Sequence, residues 1–293
     1  MDRTSIESFI LTAELGSFSK AAEKLHITQP AISKRIANLE KQLGSELLLR
    51  SNKEVQLTSA GVVFLQHARK LIAAMNDCQI AIQNTQEHIA GNLKIGISHH
   101  IGLHRLPPYL KLFTDTFPQV HLQIQFITSE EASELIQNDQ LEIALITLPA
   151  TTPTKMHMQS IWTDPLQIVV SGKHPLAKQQ QQKHLSLQEL SLHPAILPSF
   201  NSYTGQLIQQ LFTQHGVDIN HYIETNNLET IRMMTSIGLG WTVLPRSMLN
   251  KQLQSLILEH SIRLPSRNLG FLRHQSRILS RAASAFLQTL SKQ

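Results

Sequence analysis

At 293 residues, with 41% apolar residues and a net charge of +5, the chain is long enough for two cored domains and too apolar for disorder. Its one cysteine, Cys78, excludes an internal disulfide, and no apolar run approaches the ~18 residues that cross a bilayer. The basic balance does not itself indicate nucleic acid, because residues 1–60 hold eight cations against seven acids while the last 31 residues hold six cations and no acid. Met1 to Ile10 carries Asp2 and Glu7 and no apolar core of a secretory leader, so a cytoplasmic protein is expected.

In chain order, Ile6, Phe9, Ile10 and Ala13 recur at helical spacing, and Gly16 ends that helix. Ser19 is expected to cap a second short helix, Lys20 to Leu25, with Ala21, Ala22 and Leu25 inward. His26 and Ile27 connect it tightly to a third helix that opens at Thr28-Gln29-Pro30, since threonine caps helices and proline is tolerated in a first turn. Ile32, Ile36, Leu39 and Leu43 form the apolar stripe of this third helix. Its opposite side, Pro30, Ser33, Lys34 and Ala37, is small and polar with one long cation.

Two short helices joined by a tight turn describe a helix-turn-helix, a shape that also serves as a purely structural corner. The outer side favours DNA: glutamine pairs with adenine, serine donates or accepts, and lysine reaches guanine or phosphate. A strand ending at Arg50, a turn at Ser51-Asn52-Lys53 and a strand from Val55 to Leu57 read as a β-wing. The candidate DNA-contacting residues within a domain of residues 1–58 are Ser17, Ser19, Lys20, Thr28, Gln29, Pro30, Ser33, Lys34, Arg35, Arg50 and Lys53.

The stretch from Phe9 to Gly61 resembles the winged helix-turn-helix of LysR-type transcriptional regulators. The matching residues are Phe9, Gly16-Ser17-Phe18, Ala21-Ala22, Leu25, Gln29 to Ser33, Leu39-Glu40, Leu43-Gly44, Arg50, Leu57-Thr58 and Ala60-Gly61. Leu48 departs from the usual phenylalanine, core for core. Ser51-Asn52-Lys53 departs from a common Thr-Gly-Arg-like turn, which implies a weaker grip by the wing.

Residues 59–90 read as a linker, helical from Ser59 to about Glu87 and broken at Ala90-Gly91-Asn92. Leu65, Ala68, Ile72, Met75, Gln79 and Ile82 keep a 3.5-residue spacing, as in a coiled-coil seam, although a helix buried in its own domain has similar spacing. The resemblance implies dimerisation here, and the candidate dimer residues are Leu65, Ala68, Ile72, Met75 and Ile82. Cys78 reads as a packing residue.

From Leu93 onward strands and helices alternate, which predicts two parallel-type sheets. A helix is expected over Gly102 to Asp115, another opened by Ser129 with Glu130 and Glu131 in its first turn, a strand after Pro165, and a loop at Gln179 to Gln182. "NLGFLRHQ" and a last helix, Arg277 to Leu290, are expected to return to the first subdomain. Leu93 to Gly96, His174 to Ala177, and Gly238-Leu239-Gly240 running into Leu244-Pro245 resemble the effector domain of the same family, with Glu142 where aspartate is common. The fold class implied is α plus α/β: a winged helix-turn-helix, a long linker helix, and a two-lobed α/β effector domain over residues 91–293 like a periplasmic binding protein.

In such folds ligands lie beyond the carboxyl ends of strands, where helix N-termini point. The candidate effector-binding residues are Ser98, His99, Thr128, Thr147, Ser202 and Tyr203, of which Ser98, Thr128 and Ser202 have helix capping as an alternative role. His99, His100 and His104 lack a carboxylate or thiol partner in sequence, so no metal site is assigned. There is no G-x-S-x-G or P-loop, so no catalytic residue and no cofactor are assigned. The expected function is a DNA-binding transcriptional regulator controlled by a small anionic metabolite between two lobes. The alternative is an α/β enzyme with an appended helix-turn-helix. The expected partners are double-stranded DNA with a two-fold operator, the effector, a second copy of the chain as dimer or tetramer, and RNA polymerase, with no membrane.

Overall fold

Asp2 starts the first helix by accepting a hydrogen bond from the Ser5 N–H at 2.9 Å, one of the donors that every helix start leaves unpaired. The computed structural model describes all residues except 51–54, 86–87, 181–182, 220 and 292–293, and does not describe the side chain of Arg50. Its chain divides into two units, Met1–Glu87 and His88–Gln293.

In the first unit, α1 (Arg3–Leu15) ends at Gly16, whose φ of 59° is a left-handed conformation that glycine adopts without strain. The next helix, α2 (Phe18–Lys24), starts earlier than the sequence suggests. The extended backbone is at Ser17, whose side chain accepts from the Lys20 N–H at 3.3 Å, so Ser17 is the cap and Ser19 lies exposed inside the helix. In α3 (Gln29–Leu43), Ile32, Ile36 and Leu39 are buried with Phe9, Ala21, Ala22, Leu47 and Leu48 in one core. Leu43, expected on the same stripe, is exposed in the last turn, and Gly44 then closes the helix with its N–H on Glu40 and Lys41 carbonyls. The alanines on α2 allow close crossing of the helices. Strands β1 (Leu48–Arg50) and β2 (Val55–Leu57) pair antiparallel, Leu48 opposite Leu57. The turn expected at Ser51, Asn52 and Lys53 lies outside the described residues.

Helix α4 (Ser59–Gln83) is capped by Thr58 and spans roughly 38 Å at 1.5 Å per residue, four residues short of the expected end. A Cβ on Gly61 would meet the Leu47 carbonyl oxygen at 2.0 Å, so only glycine lets this helix leave so close to the wing. Ala68 and Ile72 pack with Ile6, Ile10 and Phe64, and Leu65 joins the core under α3. The N-terminal half of the expected dimer seam is therefore spent inside this unit. The corrected exposed stripe is Leu71, Met75, Cys78 and Ile82, at 4-3-4 spacing.

The second unit runs β3 (Gly91–Ser98), α5 (His99–His104), α6 (Pro107–Thr116), β4 (Val120–Ile127), α7 (Ala132–Gln137) and β5 (Ile143–Thr147). It continues as β6 (Met156–Ser171), α8 (Pro175–Gln179), α9 (Leu187–Ser191), β7 (Ala195–Leu197), α10 (Tyr203–Gln214), β8 (Tyr222–Glu224) and α11 (Leu228–Ser236). It closes with β9 (Thr242–Pro245), β10 (Leu253–Ser255), β11 (Ser266–His274) and α12 (Arg281–Ser291). The single helix expected over Gly102 to Asp115 is two helices, because Pro107 and Pro108 fit only in a first turn. α7 opens at Glu131 rather than Ser129. The Ser129 hydroxyl instead accepts from the Thr147 N–H at 3.1 Å. Gln179, expected in a loop, ends α8.

The expectation of two parallel-type sheets needs correction. One seven-stranded mixed sheet has the order β10-β6-β11-β5-β3-β4, with β9 also on β6. β3 pairs parallel with β4 and β5, but β11 runs antiparallel to β5 and β6, and β9 and β10 run antiparallel to β6. The strand expected after Pro165 is the second half of the 16-residue β6, which passes from one lobe into the other. Chain that returns along it is necessarily antiparallel. β7 and β8 form a separate parallel pair, bridged to the second lobe at Trp241.

The first lobe packs Leu93, Ile95, Ile97, Phe113, Leu145 and Phe271 against Phe286 of α12. The second packs Ile168, Val170, Leu197, Ile208 and Phe212 against Trp241, whose Nε1 donates to the His193 carbonyl. Glu142 accepts from the Ser280 N–H and hydroxyl and so opens α12.

Candidate functional site

On α3, burial of Ile32, Ile36 and Leu39 turns Gln29, Pro30 and Lys34 to solvent, with Ser33 half-buried between them. Gln29 Nε2 donates to Ser33 Oγ at 3.3 Å, which holds the amide along the helix surface. Thr28 sits at the N-cap position, exposed, and its hydroxyl makes no cap bond. Pro30 has no N–H and the Ala31 N–H donates to the Thr28 carbonyl at 3.0 Å, so the preference of this helix start for an anion such as a phosphate rests on the helix dipole rather than on a row of free N–H groups.

Ser19 and Lys20 are exposed at the start of α2, while Ser17 is half-buried as its cap. Arg35 lies on another flank, lining a surface cleft with Asp2, Thr4, Ser5, Asn38 and Lys41. The strand carrying Arg50 is anchored by Glu40, whose Oε1 accepts from the N–H groups of Leu47 at 2.8 Å and Leu48 at 3.2 Å. Lys53 lies outside the described residues, as does the side chain of Arg50.

In the second unit, five of the six candidate effector residues, Ser98, His99, Thr128, Thr147 and Ser202, line one cavity of about 110 Å³. Sites for drug-sized ligands are ~300–1,000 Å³, so this one suits a small molecule. The cavity lies beyond the ends of β3, β4 and β5 and receives the starts of α10 and α11. Tyr203 is not among the lining residues; its backbone N–H donates to Glu130 Oε1 at 2.7 Å.

The hydroxyls differ in freedom. Ser202 Oγ accepts from the Gly205 N–H at 3.0 Å and donates to the Ser199 carbonyl at 2.7 Å, so it is committed to capping α10. Ser98 occupies the N-cap of α5 without a cap bond, and its buried Oγ has no hydrogen-bond partner among the described residues. A buried hydroxyl left unsatisfied is costly, and a ligand acceptor or donor would satisfy it.

Arg267 also lines this cavity. It is only 2% exposed, and its guanidinium donates to Asp164 Oδ2 and, at 3.2 Å, to Thr204 Oγ1, while its Nε has no partner among the described residues. Asp164 also receives Arg105 Nη2 at 3.0 Å, and His100 Nε2 lies 3.2 Å from it. Burial alone would raise the Asp164 pKa, but His100 and Arg267 outweigh it and hold the carboxyl well below its usual range. Burial lowers the His100 pKa despite Asp164, so the imidazole is held neutral. Two guanidiniums thus share one carboxylate beside the cavity. On α11, Glu229 also lines the cavity and is balanced by Arg232 Nη2 at 2.6 Å and His104 Nε2 at 2.5 Å.

Arg267 and Asp164 were not legible as site residues. They flank Pro265 and Pro165 in stretches that read as strand starts, and only the β6–β11 pairing, Arg267 opposite Asp164, brings them together.

Two family models match the chain: the bacterial regulatory helix-turn-helix protein, lysR family, over residues 4–62, and the LysR substrate binding domain over residues 86–293. A probable RuBisCO transcriptional regulator of Thalassiosira pseudonana is 30% identical over 283 residues, covering 94% of this chain and 92% of the relative. The HTH-type transcriptional regulator CysL of Bacillus subtilis (strain 168) is 29% identical, covering 85% of this chain and 82% of the relative. Among solved structures, a full-length OxyR variant from Pseudomonas aeruginosa superposes with a TM-score of 0.72 at 21% identity, covering 100% of this chain and 95% of that one. Full-length CbnR complexed with its target DNA superposes with a TM-score of 0.62 at 19% identity, covering 99% of each chain. Both units match LysR models over the stretches that the fold assigns to them, so the chain belongs to the LysR family of DNA-binding transcriptional regulators with an effector-binding domain.

Proposed function

We propose that this regulator reads a two-fold operator with the Gln29–Lys34 surface of α3 and is controlled by a small anion in the cavity beyond β3, and that it catalyses no reaction. The functional division is 1–58 for DNA, 59–90 for dimerisation and 91–293 for the effector, and the protein acts in the cytoplasm on promoters served by RNA polymerase. Dimer contacts form along Leu71, Met75, Cys78 and Ile82, whose apolar stripe has no partner among the described residues of its unit. The relatives named as probable RuBisCO transcriptional regulators make RuBisCO genes the first targets to test.

The observation that carries the anion reading is the Ser98 hydroxyl, without a partner among the described residues, in the same cavity lining as Arg267, which shares the Asp164 carboxylate with Arg105. The Arg105–Asp164–Arg267 group keeps one positive charge in a partly desolvated place, where its attraction for an anion exceeds that of a surface cation.

Calorimetry with small mono- and dicarboxylates, sulfate and their neutral isosteres tests this. Anions are expected to bind and neutral isosteres not. Ser98→Ala should weaken binding by roughly ten- to a hundredfold, the loss of one hydrogen bond to a charged group at ~1.5–3 kcal/mol. A neutral or cationic ligand that binds tightly, or full affinity in Ser98→Ala, contradicts the assignment.

A further inference from the structure

Glu130 stands where the cavity is best suited to receive an anion. It follows β4 in the first lobe and lines the cavity, and its Oε1 accepts at 2.7 Å from the N–H of Tyr203, the first residue of α10 in the second lobe. The opening N–H groups of a 12-residue helix have no partner within it, and the positive end of its dipole favours negative charge. Ser202 serves the Gly205 N–H, so the Tyr203 N–H is left for an acceptor from outside the helix. Glu130 is that acceptor.

The charges around the cavity lead to the same residue. Arg105 and Arg267 face Asp164, and Arg232 faces Glu229, which leaves one guanidinium charge unmatched. Among the described lining residues, Glu130 is the remaining carboxylate, and Glu131, whose Oε2 accepts from the N–H of the lining residue Thr128 at 3.0 Å, adds a further negative charge at the cavity edge. An anion entering beside Glu130 would add negative charge where Glu130 already offsets the unmatched guanidinium.

We propose that Glu130 is a tethered competitor of the effector: without ligand its carboxylate holds the anion position across the two lobes, and an anionic effector binds by displacing it. This rests on the anion reading above. Glu130 is exposed, so its side chain swings into water with little loss of solvation. The one hydrogen bond given up is replaced by the effector's own bond to the Tyr203 N–H. Glu130 thereby sets a threshold for ligand charge: a neutral acceptor gains only an ordinary hydrogen bond from that N–H, whereas an anion also gains from charge assistance and the helix dipole. It also makes the empty cleft a latched state, because the competitor is anchored in one lobe and its acceptor bond is to the other.

Sulfate titrated calorimetrically into the full chain, at low and fixed ionic strength, tests the proposal. Glu130→Ala and Glu130→Gln should each bind sulfate about tenfold more tightly than the unaltered chain, a change that corresponds to about 1.4 kcal/mol. Glu134→Gln, which removes an exposed acid on α7, should bind as the unaltered chain does. Adding Ser98→Ala to Glu130→Ala should weaken the binding again. Equal affinity in all these proteins, or weaker binding in Glu130→Ala, overturns the competitor role and leaves the anion site standing. A gain in Glu130→Ala that Ser98→Ala does not reverse means sulfate binds elsewhere, and the proposal falls. Absence of sulfate binding in every variant overturns both the competitor and the anion reading.

Discussion

At the scale of single residues, the Asp164 cluster ties the proposed effector site to stability. His100 is held neutral by burial, with Arg267 and His104 near it and Asp164, itself bonded by Arg105, as its acidic neighbour among the described residues. In the unfolded chain the same imidazole has its ordinary pKa of 6.5, so below that pH the unfolded state binds a proton that the folded state refuses. Stability is therefore retained above about pH 6.5 and declines as pH falls through the interval between the unfolded and the lowered folded pKa. The Asp164 carboxyl, with its pKa depressed, adds a second loss only below its ordinary 3.8. Urea denaturation at about pH 7 and about pH 5.5 checks this. The acid-induced loss should be smaller in His100→Asn than in the unaltered chain, and an equal loss in both places the sensitivity on other histidines.

The residues of this cluster show where sequence reading stops. Ser98, Thr128 and Thr147 were legible because each ends or directly follows a strand, and strand ends are where such folds bind ligands. Asp164, Arg105 and Arg267 lie 59 and 103 positions apart along the chain, and no local pattern marks them as a set.

At the scale of elements, periodicity located the helices better than it assigned their partners. α3 was legible in its extent, since first-turn proline, closing glycine and the stripe Ile32, Ile36 and Leu39 agree, while Leu43 at its end is exposed and Thr28 makes no side-chain cap bond. α4 was legible as a helix, but its 3.5-residue pattern could not say which apolar neighbours were already taken. Ile72 is 9% exposed against Ile6, whereas Met75 is 43% and Ile82 63% exposed. The two halves should respond differently to a charge. Ile82→Asp should leave the melting temperature of the head nearly unchanged and weaken self-association, because it buries a carboxylate only in the dimer. Ile72→Asp should destabilise the head itself by several kcal/mol, the cost of an unpaired charge in a core. Sedimentation and thermal melting separate them, and an unchanged oligomer in Ile82→Asp moves the interface off this stripe. The mixed sheet was missed for a related reason. Alternating strands and helices predict crossovers, but a strand as long as β6 carries pairing into both lobes and reverses the direction of what returns along it.

At the scale of the whole molecule, composition said little and geometry much. The net charge of +5 owes most to the last 31 residues, yet two of those cations serve the second unit itself: Arg267 pairs with Asp164, and Arg277 with Asp139 at 2.7 Å and the Ile136 carbonyl. The α3 surface proposed to read DNA instead combines one glutamine, one serine and one lysine near a helix start without a side-chain cap. Such a surface gains its specificity from base edges and its general affinity from phosphate, and these two terms respond separately to substitution.

The central claim, sequence-specific control of transcription through α3, is tested most directly by a genomic footprint of the tagged chain compared with that of Gln29→Ala at equal expression. The account predicts discrete two-fold sites for the unaltered chain. In Gln29→Ala these sites should fade, by the ~1–3 kcal/mol that a bidentate base contact supplies, while background occupancy persists. Diffuse occupancy without discrete sites, or an identical set of sites in Gln29→Ala, would contradict it.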